Sequence, residues 1–251
     1  MQDKLFLIVF LAVVAVFFYL LLRVLRAKPV VPVIDSSRRN SFIAIAVLIA
    51  ALAVGYAIIL IQSWAMGSSL SEKGKNVWHL SDIIKQLAGS PLYLFPLILV
   101  VKRREPLKSV GLTTKNLWQS ILIGVLFFCL LVVPGHNRFD KLLHVGKSEM
   151  IALAVYLAIG FGEELAFRGF LQYRVVAWLG AFKGILLTSL IMAMFHMPQM
   201  FLNGWEVSRI VGHTLGYMPI CLFLGFMMLR TGNLASVALI HAAADWINVL
   251  R

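Results

Sequence analysis

Apolar runs long enough to cross a lipid bilayer recur along almost the whole of this 251-residue chain. A helix needs about 20 predominantly apolar residues to span the hydrocarbon core. Candidate spans are Leu5 to Leu22, Phe42 to Ile61, Leu87 to Val101, Trp118 to Val133, Ile151 to Trp178, Ile185 to Met197, Ile210 to Leu229 and Leu234 to Leu250. The third and sixth are the weakest, being short or interrupted by Pro91, Pro96 and Pro198. With 61% hydrophobic and only 14% charged residues, the chain falls outside the range of soluble domains. The expected fold class is therefore all-α, a polytopic membrane bundle of about eight transmembrane helices. Arg23 and Arg26 follow the first span, where a cleaved signal peptide would carry small residues, so that span reads as retained.

The net charge of +12 is scattered over the connections and forms no stripe of the kind that binds nucleic acid, which is not an expected partner. It reports orientation instead. Connections after odd-numbered spans carry fourteen of the 23 basic residues, Arg168 and Arg174 among them, which places those connections in the cytoplasm and both termini outside. Cys129 and Cys221 fall inside apolar spans and read as buried small hydrophobes, with no disulfide or metal spacing. The basic segment Lys102 to Leu117 reads as an interfacial anchor whose Thr113 or Thr114 caps the fourth helix.

Against this oily background, "GFGEELAFRGF", Gly160 to Phe170, places two glutamates and an arginine inside a span. A charge at the centre of a span costs about 2.5 to 3.5 kcal/mol even on the lenient insertion scale. Glu163, Glu164, Arg168 and Asp245 must then be paired, near water, or both. Glu164 and Arg168 are four apart and share a helix face, whereas Glu163 is turned away by about 100°. One glutamate is free to be held and the other to be used. His196 ends the sixth span in "FHMP", and "HAAADW" sets His241 and Asp245 on one face of the last span, with three alanines that permit close helix approach. A network that only sets helix register would explain the first group. Three helices each supplying an acid or an imidazole point to chemistry.

Two routes to an activated water are open. A buried glutamate acts as general base and then acid, with His196 orienting the water and His241 and Asp245 polarising a carbonyl. Alternatively Glu163, His196 and His241 bind a divalent metal such as zinc, whose water becomes the nucleophile. The spacing is not that of a metal-binding HExxH helix, which favours the first route, for which no cofactor is required. Ser189 is the nearest serine to His196 and a weak nucleophile candidate.

At these residues the chain resembles the CAAX prenyl protease and bacteriocin-processing (Abi) family of intramembrane proteases. The family's EExxxR motif is met by Glu163, Glu164 and Arg168, its FxxxH motif by His196 with Met192 in place of phenylalanine, and its HxxxN/D motif by His241 and Asp245. The resemblance implies peptide-bond hydrolysis within the membrane, with Glu163 as general base and both histidines lining one site. It divides the chain into variable N-terminal transmembrane helices, 1–110, and a protease core, 111–251. It implies an integral protein of a bacterial cytoplasmic membrane, whose partners are the bilayer and a peptide or membrane-protein substrate, prenylated or not. A proton-coupled transporter also uses intramembrane carboxylates, but the two halves show no inverted repeat; a non-catalytic scaffold of the same fold is the third possibility.

Overall fold

The computed structural model describes residues 2–31, 34, 36–66, 77–80, 82–83, 90–132 and 141–249. Among these, regular structure is entirely helical. In chain order the main helices are α1 (Gln2–Arg26), α2 (Ser37–Met66), α3 (Pro91–Lys102), α4 (Leu117–Val132) and α5 (Lys147–Glu164). A π-helical segment, Leu165–Gln172, carries α5 without a break into α6 (Tyr173–Leu179). Then follow α7 (Ala181–Phe195), the short α8 (Met197–Leu202), α9 (Val207–Thr231) and α10 (Leu234–Trp246). Each expected span coincides with a helix, although the start of the third, the last residue of the fourth and Leu250 lie outside the described residues. Ser37–Ile58, Lys147–Leu179, Ala181–Leu202 and Val207–Thr231 are long and apolar enough to cross a membrane; the others are shorter apolar helices.

Proline accounts for the two weak spans. Pro91 opens α3 at a position where its missing N–H is not needed, and Pro198 sits just inside α8, after the chain turns at His196. The fourth helix is not capped as expected. The Thr113 hydroxyl accepts from the Lys115 N–H at 3.2 Å, in the turn before α4, and Asn116, with φ +57°, leads into the helix. The charge count also changes, because Arg168 and Arg174 are buried within the long helix and not in a connection.

Lipid tails are as apolar as leucine, so close van der Waals packing between small residues holds a membrane bundle together. α10 shows this on two sides. A Cβ on Gly160 of α5 would stand 2.8 Å from the Ala238 carbonyl and 3.0 Å from the Ala242 nitrogen, and one on Gly124 of α4 would stand 2.4 Å from Leu239 Cβ. α10 is thereby wedged between α4 and α5, with Val237, Ile240 and Ala242 buried. At one end of the bundle polar groups replace packing. Asn233 Nδ2 donates to the carbonyls of Thr113 and Lys115 at 2.7 and 2.9 Å, Asn116 Nδ2 donates to the Thr231 carbonyl at 2.9 Å, and buried Arg174 pairs with Glu105. The basic 102–117 segment is thus stitched to the ends of α6, α9 and α10, beyond any anchoring role.

Candidate active site

The π segment sets the angle at which α5 presents its charges. In an ordinary α-helix, residues four apart drift by about 40°, so every fourth residue soon leaves a shared face. The i→i+5 hydrogen bonding of a π-helix winds more slowly and recurs at functional sites. Here Glu164, Arg168 and Gln172 all stay fully buried on one line. Arg168 Nη2 donates to the Cys221 carbonyl at 3.2 Å and Gln172 Nε2 to the Gly225 carbonyl at 2.8 Å, two matched rungs against α9. Gly169 lets this segment lie against the 3₁₀ turn Leu107–Val110, since a Cβ there would fall 2.3 Å from the Val110 carbonyl oxygen.

Glu164 is the held carboxylate. Its Oε2 is 3.3 Å from Arg168 Nε, and its Oε1 is 2.8 Å from His241 Nδ1 on α10. Glu163, turned to the neighbouring face, is the carboxylate left for use. Its Oε2 lies 3.8 Å from His196 Nε2 and 3.8 Å from His241 Nε2, and that atom is screened from solvent with no hydrogen bond to the described residues. Each imidazole is oriented through its other nitrogen, His241 by Glu164 and His196 by the Met192 carbonyl, 3.1 Å from its Nδ1. Asp245 Oδ2 completes the group, 3.4 Å from His241 Nε2. The structure therefore brings together all six side chains, Glu163, Glu164, Arg168, His196, His241 and Asp245, from three helices. Glu163, His196 and Asp245 are partly exposed and line the open side, while Glu164 and Arg168 lie behind them.

The one departure from the family pattern, Met192, finds a local account. Met192 is buried and contributes its backbone carbonyl to His196, and Phe195 supplies the aromatic packing, edge-on to Phe167 with ring centroids 5.0 Å apart. Ser189 is buried, and its hydroxyl makes no hydrogen bond to the described residues, the six included. As placed, these side chains do not form a metal cage: among the described residues no group of three His, Cys, Asp or Glu is arranged to hold an ion. Tyr217 of α9 was not singled out by its sequence context. Its ring packs against His196, centroids 5.3 Å apart, and its hydroxyl lies within electrostatic reach of Asp245 and Glu163. The signal was present as a run of aromatic and polar residues every fourth position, Trp205, Arg209, His213 and Tyr217.

No curated protein and no solved structure matches the chain. A family model does: residues 145–247, which contain the whole constellation, match that of the type II CAAX prenyl endopeptidase Rce1-like proteins. Over this region, which carries α5, the π segment and every helix after it, the chain is similar to the CAAX prenyl protease and bacteriocin-processing family.

Proposed function

We propose that the chain hydrolyses peptide bonds inside the membrane with a water activated by Glu163, and that no metal takes part. The observation that carries this reading is the position of Glu163 Oε2, equally close to two imidazoles whose remote nitrogens are already engaged. A water held between Glu163 and His196 gives a proton to the carboxylate as its oxygen bonds to the scissile carbonyl carbon. The negative charge that develops on the carbonyl oxygen is met by His241, oriented by Glu164 on one nitrogen and steadied by Asp245 near the other. Glu163 then passes its proton to the departing amine nitrogen, the C–N bond breaks, and the carboxylate product leaves. Arg168 fixes Glu164 and so, at one remove, the imidazole of His241. The substrates that fit such a recessed site are membrane-associated peptides or membrane-protein segments, prenylated or plain.

The test is cleavage of a panel of membrane peptides by purified protein in nanodiscs. Glu163→Gln keeps the side-chain shape and removes the base, so it is expected to bind peptide and to cut at least 10³-fold more slowly. Exhaustive chelation is expected to leave the wild-type rate unchanged. Loss of cleavage on chelation with recovery on adding zinc would overturn the glutamate route, and proton-coupled flux without cleavage would overturn the protease reading altogether.

A further inference from the structure

The two rungs that join α9 to the π segment leave a third place open. Gln172 is bonded to the Gly225 carbonyl and Arg168 to the Cys221 carbonyl, so the two helices run antiparallel and in step, four residues at a time. The next step sets position 217 against position 164. Tyr217 therefore stands at the level of the glutamate pair, about one turn of α9 before Cys221. Its ring is held from two sides. It lies against His196, with ring centroids 5.3 Å apart, and stacks on His213 at 5.1 Å, while Trp205 backs His213 edge-on at 5.4 Å.

The hydroxyl at the end of this ring is uncommitted. Tyr217 is half-buried, and its hydroxyl makes no hydrogen bond to the described residues, yet it lies within electrostatic reach of Asp245 and Glu163. A phenol set into an apolar bundle ordinarily finds a partner. This one stands beside the open side of the site, not bonded to either carboxylate and close enough to interact with both. The chemistry at Glu163 has a use for such a donor. When the water attacks, Glu163 takes its proton and becomes neutral, and one negative charge passes to the carbonyl oxygen of the peptide. Within the bilayer that charge is met by donors already in place. His241 cannot meet it alone. Its Nδ1 is engaged with Glu164 at 2.8 Å, and its Nε2, which carries one hydrogen at most, already faces Asp245 Oδ2 at 3.4 Å and Glu163 Oε2 at 3.8 Å. Arg168 lies behind, engaged with Glu164 and the Cys221 carbonyl.

We propose that Tyr217 is a further catalytic residue, whose hydroxyl donates to the oxygen of the scissile carbonyl and, with His241, holds the negative charge that forms there. The phenol keeps its proton throughout and makes no covalent bond to the peptide. A neutral hydroxyl suits the place: a phenolate would add a third negative charge beside Glu163 and Asp245, whereas a donor gains strength as charge leaves Glu163 for the carbonyl oxygen. The contacts with His196 and His213 hold the ring before substrate arrives, so the donor needs little reorganisation at the moment of reaction. The contact with His196 also ties the donor to the imidazole that orients the water.

The proposal rests on the protease reading, and its test separates the two. Tyr217→Phe keeps the ring against both imidazoles and removes only the hydroxyl. In nanodiscs, on a peptide that the wild type cuts, kcat is expected to fall about 10²-fold, the loss that follows removal of one oxyanion donor, with KM changed by less than about threefold. Two further measurements distinguish a donor from a packing residue. A phosphonamidate copy of that peptide, whose anionic tetrahedral phosphorus imitates the intermediate, is expected to bind Tyr217→Phe more weakly by about the factor lost in kcat/KM. The peptide itself, measured on Glu163→Gln protein with and without Tyr217→Phe, is expected to bind equally, and the thermal midpoint is expected to stay where it is. Unchanged kcat, a phosphonamidate held as tightly as by the wild type, or a loss that appears equally in binding of the uncut peptide overturns the proposal, and wild-type cleavage then leaves the protease standing. A wild type that cuts no peptide brings down the protease reading and this proposal with it.

Discussion

Arg168 shows how much of this site is decided by single side chains. Its guanidinium is buried and works in two directions at once, Nε toward Glu164 at 3.3 Å and Nη2 to the Cys221 carbonyl at 3.2 Å. A lysine ammonium is a point charge and cannot serve both partners in one plane. Arg168→Lys is therefore expected to lower kcat about tenfold or more with KM little changed, because His241 loses its fixed partner while the open side of the site keeps its lining. An unaltered kcat would show that charge alone holds Glu164. Removing the charge, as in Arg168→Ala, strands a buried carboxylate, and breaking a buried pair in this way costs on the order of 3 to 5 kcal/mol. The pairing of Arg168 with Glu164, and the separate direction of Glu163, were legible in the four-residue spacing and the 100° turn between neighbours. For Tyr217 and His213 the four-residue spacing marks a shared helix face, but a ring in an apolar helix carries no mark of which neighbour that face meets.

At the scale of elements, the π segment is the feature that hydropathy does not register. Leu165–Gln172 reads as helix on any apolar count, and nothing in its composition announces the wider winding. Its seating depends on one absent side chain. Gly169→Ala drives a Cβ to 2.3 Å from the Val110 carbonyl oxygen, and because that atom is backbone it cannot swing aside. Overpacking of this kind costs about 1 to 3 kcal/mol. The thermal midpoint in detergent is expected to fall by several degrees, and activity with it, since the shift acts on the helix that carries Arg168. Gly212→Ala is the control: among the described residues nothing beyond its own stretch of helix lies within 4 Å of its added Cβ, and removing a glycine from a helix interior gains about 0.5 to 1 kcal/mol. Equal behaviour of the two variants would remove the seating argument. Span existence was readable from the apolar runs, and the breaks near Pro91 and Pro198 from proline geometry. The start of α4 was misread because Thr113 spends its hydroxyl on the preceding turn, a local bond that competes with helix capping.

For the whole molecule, the question is which helices the site needs. Its side chains come from α5, the π segment, α7 and α10, with α9 alongside, all within the matched region 145–247. From the N-terminal part, Tyr93 of α3 packs against Gly162, directly before the glutamates, and the 105–110 turn packs against Gly169, so these belong mechanically to the site. α1 stands apart from it. It buries Phe17, Leu20 and Val24 and sets Phe17 against Phe127 of α4, while Val30, beyond its end, donates to the Leu229 carbonyl at 2.6 Å. In water, exposing three such side chains would cost about 1.5 to 3 kcal/mol each. In a bilayer, lipid tails take the place of α1, and only the difference in packing is lost. Deleting residues 1–26 while keeping the Val30 contact is therefore expected to lower the thermal midpoint by a few degrees and to leave kcat/KM within about threefold. A protein of unchanged midpoint that has lost all cleavage would mean that α1 contributes to the reaction itself, and that the division between a supporting N-terminal helix and the catalytic bundle is drawn in the wrong place.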